Sequence, residues 1–93
     1  MDRITKQNLQ AVVDRINRTT GMPAQPWVTV DGKHIAQIGC YHLSGAYGGY
    51  ALHRMHNEHG GVSDVFGGHM PKRDLYDRMH AFLRGIEAVQ VPA

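Results

Sequence analysis

Seven histidines and eleven glycines stand out in a chain of 93 residues. His53, His56 and His59 form an H-x2-H-x2-H array, and three imidazoles are donors enough for most of a tetrahedral metal's coordination sphere. Their spacing works against convergence. On a helix the residue at i+6 has turned away from i and i+3, and on a strand i and i+3 point to opposite faces. The expected reading is three surface histidines, with a metal site as the alternative. Cys40 and His42 suggest a thiol and its base, but two residues apart on a strand they would lie side by side, not tip to tip. Cys40 is expected instead as a small core thiol on the face of Ala36 and Ile38. Neither a P-loop nor a G-x-G-x-x-G occurs, and no carboxylate pair stands apart from basic neighbours. Catalysis is therefore not expected, and no cofactor is implied.

The glycines point elsewhere. Gly45, Gly48 and Gly49, then Gly60 and Gly61, then Gly67 and Gly68 are stretches of backbone able to take positive φ. Most such positions make tight turns, but a glycine loop between tyrosines also lets a ligand approach main-chain N–H groups. Gly67-Gly68-His69-Met70 leads into Pro71, Lys72 and Arg73, where a helix start with unpaired N–H groups and two cations suits an anion or phosphate. A solvated basic first turn is the plainer alternative. The expected contact surface comprises Tyr47, Gly48, Gly49, Tyr50, Arg54, His69, Lys72 and Arg73.

These groups need elements to hold them. Leu9, Val12, Val13 and Ile16 recur at i, i+3, i+4 and i+7, an apolar stripe that predicts a helix over about 5–20. Thr5 suits its N-cap and Gly21 its left-handed C-terminus. Trp27-Val28-Thr29-Val30 reads as a strand, and Asp31-Gly32 is a two-residue hairpin signal. Return strands are expected over about 33–43 and 49–55, then a loop over 57–69. Leu75, Met79, Phe82, Leu83 and Ile86 mark a second helix over about 71–88, with Pro71 as its first residue. The expectation is one α+β domain spanning 1–93, of order α-β-β-β-α. Its three-stranded antiparallel sheet would carry two helices packed on one face. That order is also the order of double-stranded-RNA-binding domains, so a nucleic-acid-binding module is the second functional reading. The basic cluster that would support it is missing, for the chain has only three lysines.

Two stretches carry a resemblance. Residues 41–55, with Tyr41-His42-Leu43-Ser44-Gly45-Ala46-Tyr47-Gly48-Gly49-Tyr50 at their head, and residues 67–79, opening Gly67-Gly68-His69-Met70-Pro71-Lys72-Arg73, resemble small uncharacterised proteins encoded by bacteriophages and prophages. The resemblance covers roughly half of the chain and implies a setting in an infected or lysogenic bacterium. It implies a non-catalytic accessory protein that binds and modulates a host or defence component, whether protein or phosphate-bearing ligand.

Composition agrees with a folded domain. An apolar fraction of 42% and a formal charge of +2 exclude a disordered chain. No apolar run is long enough to span a bilayer and none resembles a secretory signal, so a soluble cytoplasmic protein without membrane partners is expected. A three-stranded sheet also leaves edges through which copies of the chain can pair, and a homo-oligomer is expected as possible. Protonation of seven histidines would take the charge from +2 to +9 (2 + 7), so an acidic partner should bind more tightly below about pH 6.5.

Overall fold

A computed structural model of the chain describes residues 3–90. Helix α1, Lys6–Thr20, opens on a reciprocal cap: Asn8 N–H donates to Thr5 Oγ1 at 3.1 Å and Thr5 N–H donates to Asn8 Oδ1 at 2.9 Å. It closes on Gly21, whose φ of 72° is the left-handed cap conformation. Strands β1 (Trp27–Val30) and β2 (Lys33–Ala36) form a hairpin through Asp31 and Gly32, with φ of 50° and 77°. Two successive left-handed residues make this a type I′ turn, as the Asp-Gly pair predicts. Strands β3 (Tyr41–Ala46), β4 (Gly49–Met55) and β5 (Val62–Asp64) form a separate antiparallel sheet of order β3-β4-β5. Helix α2, Lys72–Gln90, completes the chain.

The α+β class holds, but the element order is α-β-β-β-β-β-α. The expected strand over 33–43 is two strands in two sheets. Gly39, at φ 90°, donates its N–H to Met55 O, and Met55 N–H donates to Cys40 O. Two residues thus oppose one, and such a bulge bends the chain out of the first hairpin and into the second. The bend also turns Ile38 outward, 60% exposed, rather than onto the face of Ala36 and Cys40. Cys40 itself is buried with Ala36 and Met55. The expected loop over 57–69 contains β5, a strand of three residues and so too short to show a period in sequence. Pro71 lies one residue ahead of α2 rather than inside it, and its carbonyl accepts the Leu75 N–H at 3.1 Å. The β1-β2 hairpin is an addition between α1 and the three-stranded sheet, so the chain departs from the plain α-β-β-β-α order of double-stranded-RNA-binding domains by two strands.

Both helices cover one face of the β3-β4-β5 sheet. Leu9, Val13 and Ile16 of α1 and Leu75, Met79 and Leu83 of α2 close over Tyr41 and Leu52. Asn17 is the polar exception in this core, 1% exposed. Its side-chain amide donates to Tyr41 O at 2.9 Å while its Oδ1 accepts the Tyr41 N–H at 2.8 Å. A side chain thus makes the bond pair that a neighbouring strand would make, and ties α1 to the edge of β3. Among the described residues no helix is long and apolar enough to cross a membrane.

Candidate functional site

Strand alternation decides what the uncovered sheet face carries. Since Tyr41 and Leu52 point into the helices, their neighbours His42 and His53 point the other way. His42 and His53 are register partners, their ring centroids 5.8 Å apart at an interplanar angle of 90°. Asp64 of β5 is the register partner of His53 on the other side, and its Oδ2 lies 3.8 Å from His53 Nε2. Three strands therefore lay two imidazoles and a carboxylate in a row.

A third imidazole arrives from the segment before α2. Tyr50 and Met70 exchange both backbone bonds at 2.9 Å, fastening that segment beside β4. His69 then reaches over the face: its Nε2 lies 3.1 Å from Ser44 Oγ, and its ring centroid 5.9 Å from that of His53. Ser44 pairs in register with Ala51, two residues before His53. A ring touching both Ser44 and His53 lies over Ala51, which is fully buried, and the methyl side chain leaves room for it. Gly49 allows the approach of Met70, for a Cβ there would sit 2.6 Å from the Met70 carbonyl oxygen.

The β3–β4 turn completes the patch. Tyr47 and Gly48 have φ of 55° and 74°, a second type I′ turn. Asn, Asp or Gly normally fills its first position, and a left-handed tyrosine costs roughly 1–2 kcal/mol. The ring nevertheless stands 95% exposed, with its centroid 5.5 Å from that of His69.

Several residues named from sequence lie elsewhere. Arg54 is exposed on the helix-covered face toward the other end of β4, its guanidinium 5.3 Å above the Tyr41 ring and 3.9 Å from Met22 Sδ. Tyr50 is half-buried against the core formed with the helices. Lys72 and Arg73 open α2 just beyond His69 and Met70, Lys72 half-buried and Arg73 exposed. His56 and His59 are exposed around the turn after β4 and do not join His53. Among the described residues no three His, Cys, Asp or Glu side chains form a group that could hold a metal ion. Conversely, Ser44 and Asp64 belong to the patch although sequence spacing did not single them out, and His42, weighed in sequence only as a base for Cys40, belongs to it as well. Only the strand register brings them to it.

Ser44 and His69 have the spacing of a nucleophile and its base, yet the carboxylate that would orient the base is committed elsewhere. Asp64 faces His53 through Oδ2, and through Oδ1 it accepts the N–H groups of Phe66 and Gly67 at 3.3 and 3.0 Å. Burial raises the Asp64 pKa, but the N–H groups of Gly68, Gly67 and Phe66, together with His53, outweigh it and hold the carboxyl below its ordinary value. The arrangement offers donors and an aromatic edge rather than an activated nucleophile.

Compared with protein-family models, curated proteins and solved structures, the chain matches none.

His42 gives the face a pH signature. Burial, then the neighbouring His53, pull its pKa below the ordinary histidine value against a smaller opposing effect of the Leu43 backbone, and its buried Nε2 has no hydrogen-bond partner among the described residues. A histidine with a depressed folded-state pKa binds fewer protons folded than unfolded, so its stabilising effect is complete above about pH 6.5. That effect is lost as pH falls from there through the folded value. Urea midpoints are expected to drop between about pH 7.5 and about pH 5, and His42→Phe should shrink the drop. A slope unchanged in the variant would reject this assignment.

Proposed function

We propose that this chain is a non-catalytic binding protein whose contact surface is the open sheet face around Tyr47, His69, Ser44 and His53. Its ligand bears phosphate. Tyr47 carries this reading. The fold holds a tyrosine in the left-handed region at the head of a turn where asparagine or glycine would fit without strain, and leaves its ring almost wholly in solvent. Backbone strain that buys no packing points to use. Beside that ring, His69 and His53 provide N–H donors for a phosphate, and the exposed face of the tyrosine ring is a platform for a base. A nucleotide satisfies both. The resemblance to small phage-encoded proteins supplies the setting, in which the ligand belongs to a host or defence pathway of an infected bacterium and the protein acts in its cytoplasm.

Adenosine monophosphate is a direct probe. In a 15N-resolved NMR titration at about pH 7, shifts are expected at Ser44, Tyr47, His53 and His69. No shifts at millimolar ligand, or shifts clustered at Arg54 and Tyr41 instead, would reject the surface.

A further inference from the structure

The outer edge of β3 offers a second interaction surface, and hydrogen-bond accounting defines it. Tyr41 turns its N–H and C=O away from β4 and onto Asn17. Alternation along an antiparallel ladder turns the N–H and C=O of Leu43 and Gly45 to that same side. Tyr50 bears this out from across the ladder, for it pairs in register with Gly45 and spends its own backbone groups on Met70. Among the described residues no other backbone group bonds the outward groups of Leu43 and Gly45, and the one side chain acting on the Leu43 backbone is the His42 imidazole. Asn17 closes the edge at one end and the Tyr47-Gly48 turn closes it at the other, leaving a window of two outward residues flanking Ser44.

We propose that this window pairs with the same window of a second copy, antiparallel across a two-fold axis at Ser44. In that register Leu43 faces Gly45 of the other copy and exchanges both backbone bonds with it, and symmetry repeats the pair. All four open groups on each copy are satisfied and none is left over. A register centred on Leu43 would set Gly45 against a Tyr41 already taken by Asn17, and one centred on Gly45 would run Leu43 into the Tyr47 turn. β3 also lacks the usual protections of an exposed edge, having no proline, lysine or bulge between Tyr41 and Ala46. The result is a six-stranded sheet of order β5-β4-β3-β3-β4-β5. The two Ser44 residues form its central non-hydrogen-bonded pair, with Cα atoms about 4.5 Å apart. Each Ser44 is bonded to its own His69, so the two imidazole patches merge into one continuous face.

Sedimentation equilibrium and cross-linking test the pairing. The parent chain is expected to sediment at twice its monomer mass at micromolar concentration. Gly45→Pro removes one outward N–H and places a ring on the edge, where a monomer tolerates proline. The Tyr50 ring has to yield slightly, since a Cβ at 45 would lie 3.2 Å from it. This variant is expected to sediment as a monomer. Ser44→Cys is expected to oxidise to a disulfide-linked dimer, because the separation lies within the range that disulfides span. His42→Cys, which the same register keeps away from its own copy, is expected not to. A parent that stays monomeric, a Gly45→Pro chain that stays dimeric, or cross-linking at 42 rather than 44 would each overturn the proposal. If Gly45→Pro fails to fold, the cysteine pair decides.

Discussion

Asn17→Ala is expected to lower the unfolding free energy by roughly 2–4 kcal/mol, more than any surface change in the chain. The size of the effect follows from what is left behind. The Asn17 amide satisfies both backbone groups of Tyr41 at 2.9 and 2.8 Å in a place 1% exposed. Alanine leaves a donor and an acceptor unpaired next to the core, and each such group costs about 1–3 kcal/mol. The same side chain lies 3.8 Å from Cys40 Sγ, so the loss also loosens the second core cluster. Asn17→Asp retains the acceptor for the Tyr41 N–H but brings a buried charge against the Tyr41 carbonyl, and should be no better tolerated. Urea denaturation measures both. A loss under about 1 kcal/mol for Asn17→Ala would mean that water takes over the edge and that the tie between α1 and β3 is dispensable.

Gly49→Ala is expected to cost about 2–3 kcal/mol and to dislodge His69, although it adds a single methyl group. The Cβ would sit 2.6 Å from Met70 O and 3.2 Å from Met70 N. These are backbone atoms, and they are the atoms that exchange bonds with Tyr50. The segment ahead of α2 must therefore move away from β4, taking His69 off Ser44. Gly48→Ala is the control beside it. Among the described residues nothing lies within 4 Å of a Cβ at position 48, where the φ of 74° is what opposes a side chain. About 1 kcal/mol is expected there, with the His69–Ser44 contact intact. Thermal unfolding together with the His69 and Ser44 resonances separates the two cases. Equal losses, with His69 undisturbed in both, would show that close approach at Gly49 does not set the site.

How far these features were legible in the sequence depended on their range. Helix α1 could be read closely, because its stripe, its Thr5 cap and its Gly21 end are local signals that agree with one another. The Asp31-Gly32 turn was legible for the same reason. The split of the expected 33–43 strand was not, since the bulge at Gly39 exists only because Met55, sixteen residues on, answers it from the other strand. β5 escaped notice because three residues carry no period and their partners, His53 and its neighbours, are set by register. The candidate site divided along the same line. Tyr47, Gly48, Gly49 and His69 announced themselves by residue type. His42, Ser44 and Asp64 join them only through pairing, and Arg54 leaves them because strand alternation sends it to the face the helices cover. The histidine array proved the least instructive motif. His53 left His56 and His59 for His42 and His69, which no spacing rule connects to it.

The affinity of Tyr47→Asn for adenosine monophosphate tests the central claim most directly. Asparagine suits the left-handed position, so the variant should be as stable as the parent or more stable by up to about 1 kcal/mol. Its binding should nonetheless weaken by about tenfold or more, the cost of losing one aromatic platform. A more stable protein that binds less tightly is the result expected if the strained tyrosine is kept for a ligand. Undiminished affinity in a well-folded Tyr47→Asn chain would contradict it.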